Sequence, residues 1–328
     1  MTLLYVGAEN CILTARLDTT TSLGPQLTIL ERTEIGAMPS YLCFAKKQPR
    51  VLAVVEGEDQ LAMLHITETG SLQLETRVAC PGGPAYISLD QSENFALTAS
   101  YGSGETRVFP LGPQGELGEA SSTVTTGKYT HCALASSNNE RIFATSKGTD
   151  KIAILNFDQK SGTATELTTV ETSAGCGPRH IVFSSDHTRA YVACENGCSL
   201  IVYSVEGDSL VEMAQTSTLP RPQQEGDTGS DVHISSDDKF IYVSNRGHDS
   251  IAIFRTTAKG VELIGHESTR GEVPRHFNLL GEEMLVAANQ ESSSLSFFKR
   301  DSNTGTLNFL GLCDLPERPF WVGNRESR

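Results

Sequence analysis

Four histidines and two arginines recur at matched places along this 328-residue chain. His131, His180, His233 and His276 each close a three-residue string: Tyr129-Thr130-His131, Pro178-Arg179-His180, Asp231-Val232-His233 and Pro274-Arg275-His276. Arg179 and Arg275 stand in the middle of two of these. A guanidinium presents paired donors that match a phosphate, a carboxylate or a developing oxyanion. An imidazole titrates near neutrality and can move a proton, as can a carboxylate such as Glu195. Arg246 and Gln290 add polar donors at places equivalent to Glu195. Together these types describe a pocket for a small anionic molecule with groups for proton transfer. Singly, each has a plainer reading: a packed histidine, a surface arginine, a glutamate capping a turn.

The elements that position them are β-strands. Runs such as Ala190-Tyr191-Val192-Ala193 and Phe240-Ile241-Tyr242-Val243 are short, β-branched and aromatic, and are punctuated by Gly, Asp, Asn and Ser. No stretch keeps a 3.6-residue period between caps. Related strings begin at Pro39, Pro84, Tyr129, Pro178, Asp231, Pro274 and Pro319, at intervals of 45, 45, 49, 53, 43 and 45 residues. Their third residues are all aromatic or His: Tyr41, Tyr86, His131, His180, His233, His276 and Trp321. A period in the forties with several strands per unit predicts a β-propeller. The expectation is an all-β chain with seven four-stranded antiparallel blades, forming one domain over residues 1–328. Pro319 lies too near the end to begin a full blade. Its strand should therefore pair with the unclaimed runs Leu3 to Gly7, Cys11 to Leu17 and Leu27 to Leu30, closing the ring and removing its open edges.

In such a blade the start of the inner strand and the end of the next lie at one rim. Two rings of residues should meet there. The first is the middle of each string: Ser40, Ala85, Thr130, Arg179, Val232, Arg275 and Phe320. The second follows each unit's second strand: Glu9, Glu56, Tyr101, Lys147, Glu195, Arg246 and Gln290. Glu9 and Glu56 read as turn caps. The asymmetry of the rest marks a functional mouth.

Composition bounds the function classes. There are 26 Lys+Arg against 40 Asp+Glu, a formal charge of −14, and the sequence pI is near 5.0. A nucleic-acid or anionic-membrane binder needs a basic footprint that this balance lacks. No run approaches the ~18 apolar residues of a membrane span, and the N-terminus lacks a basic leader. Eight scattered cysteines without a CxxC pair predict reduced thiols and a cytoplasmic protein. No phosphate-binding loop, dinucleotide fingerprint, GxSxG elbow or HExxH is present. The histidines are spread too evenly over the units for a metal site, so neither metal nor other cofactor is expected.

Gly177-Pro178-Arg179-His180, Ser244-Asn245-Arg246-Gly247-His248-Asp249-Ser250-Ile251 and Pro274-Arg275-His276-Phe277 resemble motifs of the seven-bladed propeller lactonases. That family includes bacterial-type 6-phosphogluconolactonases and fungal 3-carboxy-cis,cis-muconate lactonizing enzymes. The likeness spans essentially the whole chain. It implies a site built from His131, Arg179, Glu195 and Arg275; His180, His233, Arg246, His276 and Gln290, placed at the same mouth, are expected as further substrate contacts. Departures stand at Tyr129, where members often carry a second His, at Ser100, where Asn is common, and at Lys147, where an acidic residue is frequent. The implied reaction is hydrolysis of a sugar lactone, 6-phosphogluconolactone foremost, with Glu195 or His131 as the base. A cycloisomerase acting on a carboxy-muconate lactone, and a non-enzymatic propeller that binds a metabolite or partner, are the alternatives.

Overall fold

The computed structural model describes residues 2–20, 24–112 and 116–326. Among them, 28 strands form seven four-stranded antiparallel sheets, and the one helical segment is a 3-10 turn at Glu56–Glu58. Six blades are consecutive in sequence: 41–79, 84–125, 130–171, 178–217, 228–268 and 274–314. The seventh joins the chain ends. Its innermost strand, Trp321–Gly323, pairs with Thr2–Gly7, Gly7 lying opposite Trp321 and Tyr5 opposite Gly323. Cys11–Asp18 and Gln26–Glu34 complete that sheet, so the closure read from Pro319 is the one observed. No helix among the described residues is long and apolar enough to cross a membrane.

The core lies between blades. Tyr191, Leu200, Val243 and Phe254, from neighbouring blades, form one such layer. Trp321 packs with Tyr5, Leu42 and Ala53 in another. Inner strands are buried along their length, whereas outer strands such as Ser209–Ser217 alternate towards solvent. That gradient follows from the geometry, because only the outermost strand of a blade faces water.

Two turns repeat around the ring. Between first and second strands, Glu93, Asn139, His187 and Asp238 adopt left-handed φ of +54° to +62°. Between second and third strands, Asp59, Asp150, Cys198, Asp249 and Ser293 do so at +41° to +55°. Most of these are types that tolerate this conformation. In the second set the aspartates also brace the next blade. Asp59 Oδ1 accepts the Gly83 N–H at 2.6 Å, Asp150 Oδ1 that of Gly177 at 2.7 Å, and Asp249 Oδ1 that of Val273 at 2.9 Å. Each bond pins the loop that enters the following inner strand.

Candidate active site at one mouth of the channel

Those inner strands open with a β-bulge. Pro178 lies opposite Cys194 and His180 opposite Ala193, which leaves Arg179 unpaired between them. The same skip leaves out Ala85, His131 and Arg275 in their own blades. An unpaired bulge residue is re-aimed relative to its neighbours, here towards the mouth of the central channel. The structure therefore corrects the first ring expected from sequence. His131, and not Thr130, is the equivalent of Arg179 and Arg275. In the blade 228–268 the skip is two residues, so Ser230 and Asp231 are bulged and Val232 pairs with Val243.

Local sequence enforces this path. Gly177 has φ +67°, and a Cβ there would sit 2.7 Å from the Asn196 amide nitrogen, so only glycine lets the chain swing into Pro178-Arg179. In the string 244–251, Ser244 Oγ accepts the Asp231 N–H at 3.0 Å. Asn245 is held to Thr218 through its side-chain oxygen (2.6 Å) and nitrogen (2.9 Å), and Asp249 braces Val273. Arg246 is the member of that string that faces the cavity.

The cavity at this mouth encloses about 230 Å³. Glu195 is at its centre and is nearly buried. Its Oε2 lies 3.1 Å from Arg179 Nε and 3.0 Å from Arg246 Nη2, and Lys147 Nζ bonds Oε1. Burial pushes the carboxyl up, but Arg179, Arg246 and Lys147 outweigh it and hold the pKa at about 2. Both arginines are fixed from behind by carbonyls: Arg179 donates to Ser230 O at 2.9 Å and Arg246 to Gly229 O at 3.0 Å. Burial brings Arg179 down to about 10, and it lies beneath the cavity rather than in its wall. Arg275 does line the wall. Among the described residues no carboxylate lies within ion-pair distance of its guanidinium, whose ring contact is Phe320, 5.8 Å to the centroid.

His131 shares that wall. Its Nδ1 is buried without a hydrogen-bond partner, and among the described residues no carboxylate is paired with the imidazole. Burial, then Arg179, His180 and Arg275, hold its pKa well below the ordinary 6.5, and the ring is neutral at pH 7. Four wall residues, Glu56, Ala85, Tyr101 and Lys147, stand outside the sequence-derived site. Glu56 faces the cavity instead of capping a turn, whereas Glu9 pairs outside it with Arg318 at 2.5 Å.

His180, His233 and His276 lie deeper and gather around Asp231. Asp231 Oδ1 is 2.6 Å from His180 Nδ1, and Oδ2 is 3.1 Å from His233 Nε2 and 3.4 Å from His276 Nε2. With Tyr41, Tyr86 and Trp321 these rings form a floor across the channel, centroids 4.1 Å (Tyr41–Tyr86) and 5.2 Å (His276–Trp321) apart. Beyond it the opposite mouth opens into a cavity of about 630 Å³. None of the three lines the Glu195 cavity, nor does Gln290, whose amide donates to Glu291. Asp231 was missed in the sequence. Its signal was an acidic residue at the head of a string where most others carry proline.

Asp231, His233 and His276 bring three ligand atoms within 4.8 Å of one another. The donors do not suit a cation. Oδ2 already accepts the Phe277 N–H at 3.3 Å. The Val322 N–H donates to His276 Nδ1 at 3.3 Å, which puts the neutral ring's proton on Nε2, the atom that would have to face the metal. The cluster is a hydrogen-bonded core around one carboxylate.

Comparison with known proteins places this geometry. The model of a family described as "Lactonase, 7-bladed beta-propeller" matches residues 4–322. The 6-phosphogluconolactonase of Bacillus subtilis is 32% identical over 291 residues, covering 83% of each chain. A crystal structure of a putative 6-phosphogluconolactonase from Bacteroides uniformis superposes with a TM-score of 0.88 at 28% identity, over 98% of both chains. The periplasmic gluconolactonase of Pseudomonas aeruginosa, 24% identical, shares the fold with a TM-score of 0.90 over 98% of both chains.

Proposed function

This chain belongs to the seven-bladed β-propeller lactonase family and is a lactone-hydrolysing enzyme, and on that premise we propose that its substrate is 6-phosphogluconolactone. The observation that carries the choice is the charge at the Glu195 mouth. Its wall holds three cations, Lys147, Arg246 and Arg275, against two carboxylates, Glu56 and Glu195, and Arg179 lies behind Glu195. This positive excess complements a phosphate monoester, which carries about −1.5 to −2 at pH 7. A neutral lactone would leave that excess unmatched. Relatives named 6-phosphogluconolactonase support the same substrate.

His131 is the general base. It is neutral at pH 7, and it shares the cavity wall with Arg275, which among the described residues has no carboxylate within ion-pair distance. Glu195, both of whose oxygens are engaged by cations, serves as the anchor that fixes them. In the reaction His131 takes a proton from water as the water oxygen attacks the lactone carbonyl carbon. The carbonyl oxygen gains the negative charge, which Arg275 stabilises. The tetrahedral species collapses, the ring C–O bond breaks, and the departing alkoxide takes the proton back from His131. Water is added and the acid ionises. Arg246 contacts the substrate's anionic group, and Arg179 acts through Glu195 as a positioning residue. No organic cofactor or metal enters this scheme. Eight unpaired cysteines support a cytoplasmic setting.

The test is a pH-stat assay, corrected for spontaneous opening, on 6-phosphogluconolactone, glucono-δ-lactone and 3-carboxy-cis,cis-muconate. The phosphorylated lactone should give the highest kcat/KM. A higher value for glucono-δ-lactone, or turnover of the muconate alone, contradicts the proposal.

A further inference from the structure

Lys147 differs from the other cations at the mouth in how it is held. Arg179 and Arg246 are each fixed by a backbone carbonyl as well as by Glu195. Lys147 donates only to side chains, Glu195 Oε1 and, at 3.3 Å, the Tyr101 hydroxyl. Its ammonium lies 5.5 Å from the centroid of the Tyr101 ring. Tyr101 is stacked on Tyr129, centroids 4.6 Å apart and planes inclined by 17°, and Lys128 covers the far face of the pair at 4.8 Å. The rim is thus a stacked tyrosine pair with Lys147 at the hydroxyl end of Tyr101 and Lys128 over Tyr129.

The backbone under Lys147 is held by hydrogen bonds. Its N–H donates to Tyr129 O at 3.2 Å and that of Gly148 to Lys128 O at 2.8 Å. A Cβ on Gly148 would lie 2.6 Å from the Tyr129 ring, so glycine is what lets the turn pack this closely on the stack. A four-carbon stem with a rotating ammonium can re-aim from such a base. Glu195 tolerates its departure, because Oε2 keeps Arg179 and Arg246. Among the described residues, Lys147 is thus the cation of this network that no backbone carbonyl holds, and its departure leaves Glu195 paired with both arginines.

We propose that Lys147, presented by the Tyr101–Tyr129 stack, is the residue that selects phosphorylated over unphosphorylated lactones, leaving Glu195 to bind the substrate's phosphate. This rests on the lactonase reading above and adds the determinant of its specificity. It also accounts for the aromatic rim, whose Tyr101 hydroxyl holds the ammonium at the cavity edge between turnovers.

The experiment compares wild type, Lys147→Met and Lys147→Arg on 6-phosphogluconolactone and glucono-δ-lactone, with inorganic phosphate binding measured by calorimetry. Loss of one charge-assisted contact should lower the ratio of kcat/KM for the phosphorylated over the plain lactone by about 10- to 100-fold. The change should fall mainly in KM, and phosphate affinity should drop by a similar factor. Lys147→Arg, which keeps the charge, should restore most of both. An equal loss on the two lactones, or unchanged phosphate affinity in Lys147→Met, overturns the assignment. Should wild type open neither lactone, the activity reading fails by itself. Phosphate binding then decides the role of Lys147, its loss in Lys147→Met supporting the assignment and its persistence refuting it.

Discussion

Replacing Glu195 with glutamine keeps the shape of the side chain and removes the charge that gathers Lys147, Arg179 and Arg246. A carboxyl held at about 2 against an ordinary 4.5 contributes about 3 kcal/mol to folding at neutral pH. Breaking a buried ion pair on one side costs a similar ~3–5 kcal/mol, and Arg179, with a side chain 3% exposed, is the partner left stranded. Glu195→Gln should therefore lose about 3 kcal/mol at pH 7, or roughly 5 °C in Tm for a chain of this size. The loss should also depend on pH. The folded-state pKa is depressed, so the stabilisation is complete above pH 4.5 and disappears as pH falls towards 2. Urea unfolding of wild type and variant at pH 7, 5 and 3 measures it. The two stabilities should converge in acid. A difference below about 1 kcal/mol at pH 7, or one that stays constant with pH, refutes the view of Glu195 as a buried charge anchor.

Three further outcomes follow. His131→Asn should lower kcat by about 10²–10³ with little change in KM, and wild-type kcat/KM on glucono-δ-lactone, which carries no titrating phosphate, should stay level as pH falls through 6.5, since the neutral imidazole persists below that value; a fall centred at 6.5 points to another group. Arg275→Lys keeps the charge but not the planar fork and should cost about 10-fold in kcat/KM with Tm nearly unchanged, whereas wild-type kinetics would remove Arg275 from the reaction. Deleting residues 319–328 strips buried Phe320, Trp321 and Val322 and exposes the edge of Thr2–Gly7, so it should cost about 5 kcal/mol or more and promote self-association; a monomer with wild-type Tm contradicts closure by that strand.

Fold and site were unequally legible in the sequence. The period of the strings, and the shortfall of chain after Pro319, follow directly from residue spacing, so blade number and closure could be read. Gly177 and the run Ser244 to Ile251 stood out because each residue there answers a local demand of backbone or cross-blade bonding. The bulges could not be read. A bulge adds one residue to one strand and turns the following side chains to the other face, and nothing in Tyr129-Thr130-His131 marks His131 as the unpaired one. Aligning the histidines by type thus put His131 in line with His180, although it occupies the place of Arg179. The same hidden register sent His180, His233 and His276 to the Asp231 floor. The neighbours of Lys147 were equally invisible, because Tyr101, Tyr129 and Glu195 come from three different blades.

The central claim is that lactone opening occurs at the Glu195 mouth and not at the larger cavity behind the floor. A crystal structure of the protein soaked with 6-phosphogluconate, the product, addresses it directly. The phosphate should lie against Lys147 and Arg246, with the new carboxylate beside Arg275 and His131. Product bound between Tyr41, Trp321 and His233 at the opposite mouth, with the Glu195 cavity unchanged, would contradict the account.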